Sequence, residues 1–319
     1  MDTPTHFESG DPIVAAAMAG DEGAFAQLVA RHRGELRVHC YRMLASFEEA
    51  EDVLQETLLR AWTRRDTFDG SSLVRAWLYK IATNACLDVI RQRARRMPAM
   101  ESFAEIPWLQ PYPDRLLEEA AVAKEKIELG FIAIIQSLPP LQRAVLILRD
   151  VLDWSAAEVA AALDTSVASA NSALQRARAT LKERPPTDTV PSPTAAERDL
   201  VRRFMVAHES QDASAAIALM SHDVRVTMPP HPFLYEGRDQ VASLVSDAFG
   251  PRRMGEWRLL PTSANNQPAA VSYLKRPGDS AYRAFKVDVM RTAGGQIVEI
   301  TTFDARLVAA FGLPAILDT

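Results

Sequence analysis

Ser155-Ala-Ala-Glu-Val-Ala-Ala-Ala-Leu-Asp-Thr-Ser-Val-Ala-Ser-Ala-Asn-Ser-Ala-Leu-Gln-Arg-Ala-Arg178 contains two helix starts and one tight turn. Ser155 and Glu158 form a capping box: the serine oxygen accepts an amide near the helix start and the glutamate reaches back. The helix they start ends at Leu163, Asp164-Thr165-Ser166 turns the chain, and Ser166 caps a second helix. Val167, Ala170, Leu174, Ala177 and Leu181 give that second helix an apolar stripe. Short helix, short turn, longer helix is the arrangement that lays a recognition helix in a DNA major groove. Ala168, Asn171, Ser172, Gln175, Arg176 and Arg178 then face outward, with Asn and Gln suited to adenine and Arg to phosphate or guanine. A helical hairpin with its polar residues turned to water has the same spacing, and spacing alone keeps both readings.

Working outward, Ile127, Phe131, Ile134 and Leu138, then Leu141, Val145, Leu148 and Leu152, mark two helices separated by Pro139-Pro140. Nearer the N-terminus, Phe25, Leu28, Val29, His32, Leu36, Cys40, Met43 and Leu44 follow one helix face, and Ala50, Leu54, Thr57, Leu58 and Ala61 another. Two proline-rich stretches divide the chain. Residues 97–114 and 185–194 read as linkers, leaving modules at 10–96, 115–184 and 195–319. The third module opens with helices at 198–209, 213–220 and 238–249. It then alternates as strands do, with Val224, Val226 and Met228 opposing Arg225 and Thr227, and Phe285, Val287 and Val289 opposing Lys286 and Asp288. The expected fold is multidomain: two all-α modules followed by an α+β domain with a curved antiparallel sheet.

The net charge of −5 conceals a strong asymmetry. Glu48, Glu49, Glu51, Asp52 and Glu56 cluster without a base, whereas residues 60–96 are rich in arginine and lysine. An acidic face beside a basic one suits two different partners. At roughly 100° per residue, Trp77, Lys80, Asn84, Arg91 and Arg95 share one stripe of a helix over 72–96. Aromatic, amide and guanidinium groups in a row fit nucleic acid: the ring stacks bases, the cations neutralise phosphates, and the amide reads an edge. The preceding loop, Phe68-Asp69-Gly70-Ser71-Ser72, is small and polar enough to take an unstacked base. Simple packing of Trp77 and a solvated arginine face are the plainer readings of the same residues. A 48% apolar fraction and 24% charge mark a globular chain rather than a disordered one. No run of eighteen apolar residues and no secretory leader is found, so no membrane association is expected. Two cysteines, Cys40 and Cys86, suit a reducing cytoplasm, and no metal or cofactor is expected.

Several strings resemble the extracytoplasmic-function group of sigma-70 initiation factors. They are Phe25-x-x-Leu28-Val29 with Arg31-His32, the run Glu49 to Trp62, Phe68-Asp-Gly70, Arg75-Ala-Trp-Leu78, Ile81-Ala-Thr-Asn84, Leu87-Asp-x-x-Arg91, Leu138 to Val145, and Leu174-Gln-Arg-Ala-Arg178. The resemblance implies that Asp52, Gln55, Glu56 and Leu59 dock on the clamp helices of the polymerase's largest subunit, with region four on the flap of the second. It implies that Phe68, Asp69, Gly70, Ser71, Trp77, Lys80, Asn84, Arg91 and Arg95 engage the minus-ten element. Ala168, Asn171, Ser172, Gln175, Arg176 and Arg178 would read the minus-thirty-five element. One departure is that Asn171 and Ala173 stand where related recognition helices are often basic, which implies a weaker nonspecific grip. Residues 195–319 resemble the SnoaL-like branch of the nuclear-transport-factor-two-like fold, through Met228-Pro-Pro, Tyr235-Glu-Gly-Arg and Phe311-Gly-Leu-Pro. That implies a cone-like regulatory domain contacting the sigma modules in the same chain. His208, Asp223 and Asp288, with Asp304, are the candidate tail-pocket residues, but fold analogy supplies no chemistry. The expectation is a non-enzymatic initiation factor. A ligand-sensing helix-turn-helix regulator, or a DNA-binding module fused to a small-molecule isomerase or cyclase, are the alternatives.

Overall fold

The computed structural model describes residues 11–68, 73–95, 106–119, 127–183, 193–250 and 253–318. They form two compact units: residues 1–100, 116–126 and 130–187 in one, and residues 101–115, 127–129 and 188–319 in the other.

The first unit is helical. α1 (Pro12–Met18), α2 (Glu22–Leu44), α3 (Phe47–Thr63) and α4 (Val74–Ala94) form its N-terminal half. Asp11, Asp21 and Ser46 cap the first three through their side-chain oxygens, satisfying amides that a helix start leaves without partners. α2 ends where Ala45 takes the left-handed conformation, at φ 58°. The buried seam on α2 contains Leu28, His32, Leu36, Cys40, Met43 and Leu44, as the periodicity predicts. α6 (Leu129–Gln136), α7 (Pro140–Leu146), α8 (Ala156–Ala162) and α9 (Val167–Glu183) follow a short α5 (Asp114–Glu119), and α7 runs on into a π-helical turn over 147–151. Leu138 and Pro139 separate α6 from α7, and the Ser155–Glu158 capping box starts α8. Leu141 is 38% exposed and Val167 is 45% exposed, so neither belongs to the apolar seams assigned to them. Each lies within the first two residues of its helix, where the stripe has not yet reached the neighbouring element.

The second unit packs α10 (Ala195–Glu209), α11 (Ala213–Ala218) and α12 (Arg238–Phe249) against one face of a seven-stranded sheet. The strands are β1 (Met220–Met228), β2 (His231–Glu236), β3 (Glu256–Ala264), β4 (Gln267–Lys275), β5 (Tyr282–Ala293), β6 (Gln296–Asp304) and β7 (Ile316–Leu317). Their order is β2-β1-β6-β5-β4-β3, with β7 beside β5. The sheet is mixed rather than wholly antiparallel, because β1 and β6 run parallel. Leu200, Phe204, Val224, Val226, Trp257, Leu274, Met290 and Ile300 build the core between helices and sheet.

Thr227, expected to face water, is fully buried, and so is Asp288. The reason at Asp288 is local. Its Oδ1 accepts from the Thr302 hydroxyl at 2.7 Å, and its Oδ2 lies 2.7 Å from Lys286 Nζ. The stretch 106–114, expected to be part of a linker, is built into this unit. Pro113 bridges to Ala264, the Asn265 amide at the β3–β4 turn donates to the Tyr112 carbonyl, and the Tyr112 amide donates to Asn265 Oδ1.

Candidate nucleic-acid interface

α3 divides its charge between two faces. Asp52, Gln55, Glu56 and Leu59 are exposed, with Leu59 at 58%. Glu49 and Glu51 turn inward instead, to Arg93 and Arg37. The acidic run is therefore only partly available to a partner, since two of its five carboxylates pair with half-buried arginines of the same unit. Burial brings the Arg93 guanidinium down to about 10, which shows how far that base is withdrawn from water. Glu56 pairs with Arg60 at 2.7 Å, and Arg60 also lies 3.6 Å from Asp88 on α4. An exposed i,i+4 pair of this kind is worth only a few tenths of a kcal/mol, so it yields readily to a basic partner. What distinguishes this face is a large apolar side chain held out among carboxylates and an amide.

α4 carries the predicted basic stripe. Trp77 is half-buried: its ring lies 5.6 Å from that of Phe68, and its indole N–H donates to Thr67 Oγ1 at 3.4 Å. The plain packing reading accounts for both rings, which join Val14, Leu28 and Val74 in a small apolar cluster. Lys80 reaches across to the helix-turn-helix, with Nζ 2.6 Å from Asp164 Oδ1 and 3.3 Å from the Ala161 carbonyl. Asn84 is half-buried, Arg91 is exposed with Asp88 at 2.6 Å, and Arg95 is exposed. Asp69, Gly70 and Ser71 lie outside the described residues.

In α9 every residue expected to face outward does so: Ala168, Asn171, Ser172, Gln175, Arg176 and Arg178 are all exposed. Arg178 makes two bonds to the Asp150 carboxylate, at 2.6 and 2.9 Å, which leaves Asn171, Ser172, Gln175 and Arg176 as the presented set. Ala173 is fully buried, so its small side chain is a packing residue and not a lost phosphate contact.

Two groups, one buried and one half-buried, were missed by pattern reading. Arg143, 4% exposed, donates to the Met43 carbonyl at 2.7 Å, to Gln136 Oε1 at 2.6 Å and to the Gln136 carbonyl at 2.7 Å. It thereby fastens α7 to the end of α2, and burial lowers its guanidinium to about 9. The signal was present, because a lone arginine interrupts an apolar run before Ala144-Val145-Leu146. Glu35 gathers His32, Arg75 and Tyr79 at 2.6, 2.8 and 3.2 Å. Burial raises its carboxyl, but the His32 hydrogen bond and the Arg75 charge outweigh this and hold it below the usual range.

In the second unit, His208 is buried against Phe204 and Phe249. Burial, reinforced by the Lys286 charge, brings its imidazole down to about 3, with Asp288 and the Phe204 carbonyl opposing. His208 and Asp288 thus share an interior. Asp223 does not: it is exposed and accepts from the Ser221 hydroxyl at 2.8 Å, which holds its carboxyl low. Asp304 caps the following 3-10 turn and bonds Arg306. The tail-pocket set therefore reduces to His208 and Asp288, each already furnished with hydrogen-bond partners.

Among known families, Sigma-70 region 2 matches residues 28–96, Sigma-70 region 4 matches residues 129–181, and the SnoaL-like domain matches residues 201–300. The ECF RNA polymerase sigma factor SigG of Mycobacterium tuberculosis (strain H37Rv) is 38% identical over 314 residues, covering 92% of this chain and 84% of that protein. SigW of Bacillus subtilis (strain 168), also named an ECF RNA polymerase sigma factor, is 32% identical over 171 residues, which is 51% of this chain and 90% of that protein. Among solved structures, the extracytoplasmic function sigma factor SigJ of Mycobacterium tuberculosis superposes with a TM-score of 0.60 at 21% identity. It covers 91% of this chain and 99% of its own, which shows a shared fold.

Proposed function

The chain belongs to the ECF RNA polymerase sigma factors with a C-terminal SnoaL-like domain, and on that basis we propose how its parts divide the work. α3 docks on the clamp helices of the polymerase's largest subunit. α4 and the loop before it handle the opened minus-ten strand, and α9 reads the minus-thirty-five element while the module around it meets the flap of the second subunit. The family is non-enzymatic, so the work is recognition and strand capture within the cytoplasm. Among the described residues no single helix is long and apolar enough to cross a membrane.

The observation that carries this reading is the α3 face itself. A helix whose inner carboxylates are matched to Arg37 and Arg93 holds Asp52 and, in only a weak surface pair with Arg60, Glu56 beside an exposed leucine. Carboxylates ringing an apolar anchor suit a basic protein surface with an apolar centre. Asp52→Ala with Glu56→Ala is expected to weaken binding of core polymerase roughly tenfold without unfolding the chain. Wild-type affinity in a core-binding titration would remove the assignment of this face.

The SnoaL-like domain acts, on this reading, by holding the segment that joins the two sigma modules. Asn265 and Asn266, both at positive φ in the β3–β4 turn, grip it. Asn265 Oδ1 accepts from the Tyr112 amide at 2.8 Å, its Nδ2 donates to the Ile127 carbonyl, and the Asn266 amide donates to Asp114 Oδ1 at 3.0 Å. Arg115 adds a bond to the Ala310 carbonyl at 2.7 Å. Gripping the stretch between the polymerase-binding module and the recognition helix limits how freely the two modules separate, which is the way a tail adjusts initiation without chemistry of its own.

A further inference from the structure

One cleft of the second unit lies outside the faces assigned above to polymerase and promoter. It has a volume of about 570 Å³ and lies where α10 and α12 end and β3 and β5 begin. That is the size of a small-molecule site. Its walls contain three aromatic rings, Phe249, Trp257 and Tyr282, and two exposed guanidinium groups, Arg253 and Arg258.

Each arginine is held in place by a neighbour that is not a carboxylate. Gln211 sits in the left-handed region at φ 55°, a conformation that a non-glycine residue keeps where its surroundings enforce it. Its side chain does two things from there: Nε2 donates to the Gly255 carbonyl at 2.8 Å, and Oε1 accepts from Arg253 at 3.0 Å. Gly255 itself, at φ 155°, approaches the Lys275 backbone so closely that a Cβ would lie 2.1 Å from the carbonyl oxygen. Gln211 thus bonds both Arg253 and Gly255. Arg258 lies over the Tyr282 ring, 5.4 Å from its centroid.

Two carboxylates also line the cleft, and both are engaged. Glu209 Oε1 accepts from the Leu259 amide at 2.8 Å, and Glu256 Oε2 accepts from the Tyr282 hydroxyl at 3.0 Å. Among the described residues neither Arg253 nor Arg258 has a carboxylate within 4.0 Å. Beside them Trp257 is buried in the wall, its indole N–H enclosed without an acceptor. Two guanidinium groups without counter-ions beside a wall of aromatic rings are complementary to one kind of molecule.

We infer that this cleft binds a small aromatic carboxylate, its ring packed among Phe249, Trp257 and Tyr282 and its carboxylate held by Arg253 and Arg258. Guanidinium–carboxylate pairing supplies both charge and a fixed two-point geometry. The site is distinct from the buried His208–Asp288 interior and needs no turnover.

The test uses the full-length chain titrated with benzoate, with neutral benzamide as control, followed by calorimetry and by the indole N–H resonance of Trp257. That resonance is assigned by its loss in Trp257→Phe. Benzoate is expected to bind and to shift it, whereas benzamide at the same concentration does neither. Arg253→Gln and Arg258→Gln, both at exposed positions, should each weaken benzoate roughly tenfold with the unfolding temperature unchanged. Gln211→Gly, which keeps the backbone conformation but frees Arg253, should weaken it as well. Absence of a benzoate response, an equal response to benzamide, or full affinity in both arginine variants would each overturn the assignment.

Discussion

At the scale of single residues, the most consequential groups are those whose burial moves their proton equilibrium far from its value in water. His39 is fully buried with its Nε2 2.8 Å from Thr83 Oγ1, and burial, aided by the nearby Arg42 and Arg75 charges, brings it down to about 3. His208 in the other unit is depressed to a similar value. In both cases the folded chain resists a proton that the unfolded chain accepts at about 6.5. Stability is therefore unaffected by these groups above that value, and falls as pH drops from about 6.5 toward about 3. The expected loss is roughly 1 kcal/mol per pH unit for each histidine, read by urea unfolding between pH 7.5 and 5.5. His39→Gln, which keeps a donor near Nε2, should flatten the slope. A chain equally stable at both ends of that range would contradict the burial of neutral imidazoles. Arg143 is the cationic counterpart, buried for the three carbonyls and one amide oxygen that it alone can join.

Among the elements, α4 and the helix-turn-helix are tied by side chains that the proposed function needs elsewhere. Lys80 cannot neutralise a promoter phosphate while its ammonium sits 2.6 Å from Asp164, and the Tyr79 and Trp154 rings pack 5.5 Å apart beneath it. Asp164 is 71% exposed at its side chain, so the pair is a surface one and contributes no more than about 1 kcal/mol. Asp164→Asn, which tolerates the left-handed φ of 48° at this position and removes the charge, should consequently leave stability almost unchanged and free one cation for DNA. The measurement is the salt dependence of holoenzyme binding to a forked minus-ten template. The logarithmic slope should steepen by about one counterion, and an unaltered slope would mean that Lys80 never meets the phosphate. The recognition face of α9 was legible in the sequence because a 3.6-residue period separates its buried Ala170, Leu174 and Ala177 from its exposed polar positions. The fate of Glu49, Glu51 and Lys80 was not legible, because periodicity gives a face but not the charge that another element brings to it.

For the whole molecule, the least legible feature was the segment 106–114. Four prolines in 97–114 and no helical period describe a spacer, and nothing local reveals that Tyr112 and Asp114 meet a turn some 150 residues later. Most of those bonds use backbone groups, which every sequence offers alike. The Asn265-Asn266 pair did carry a partial signal, since such a pair suits the left-handed turn of a hairpin, but not the partner it would grip. Asn265→Gly tolerates the φ of 55° and removes the side-chain bonds to Tyr112 and Ile127, so it separates the grip from backbone strain. The Tyr112 amide should then exchange with solvent roughly tenfold faster, and initiation by the variant should change in rate. Wild-type protection at Tyr112 would show that the turn does not hold the segment. The account as a whole is tested most directly by run-off transcription on the promoter upstream of this protein's own gene, with core polymerase alone and with the full-length chain added. It predicts one defined start site that appears only when the chain is present. Equal transcription by core polymerase alone, or none with the chain added, would contradict it.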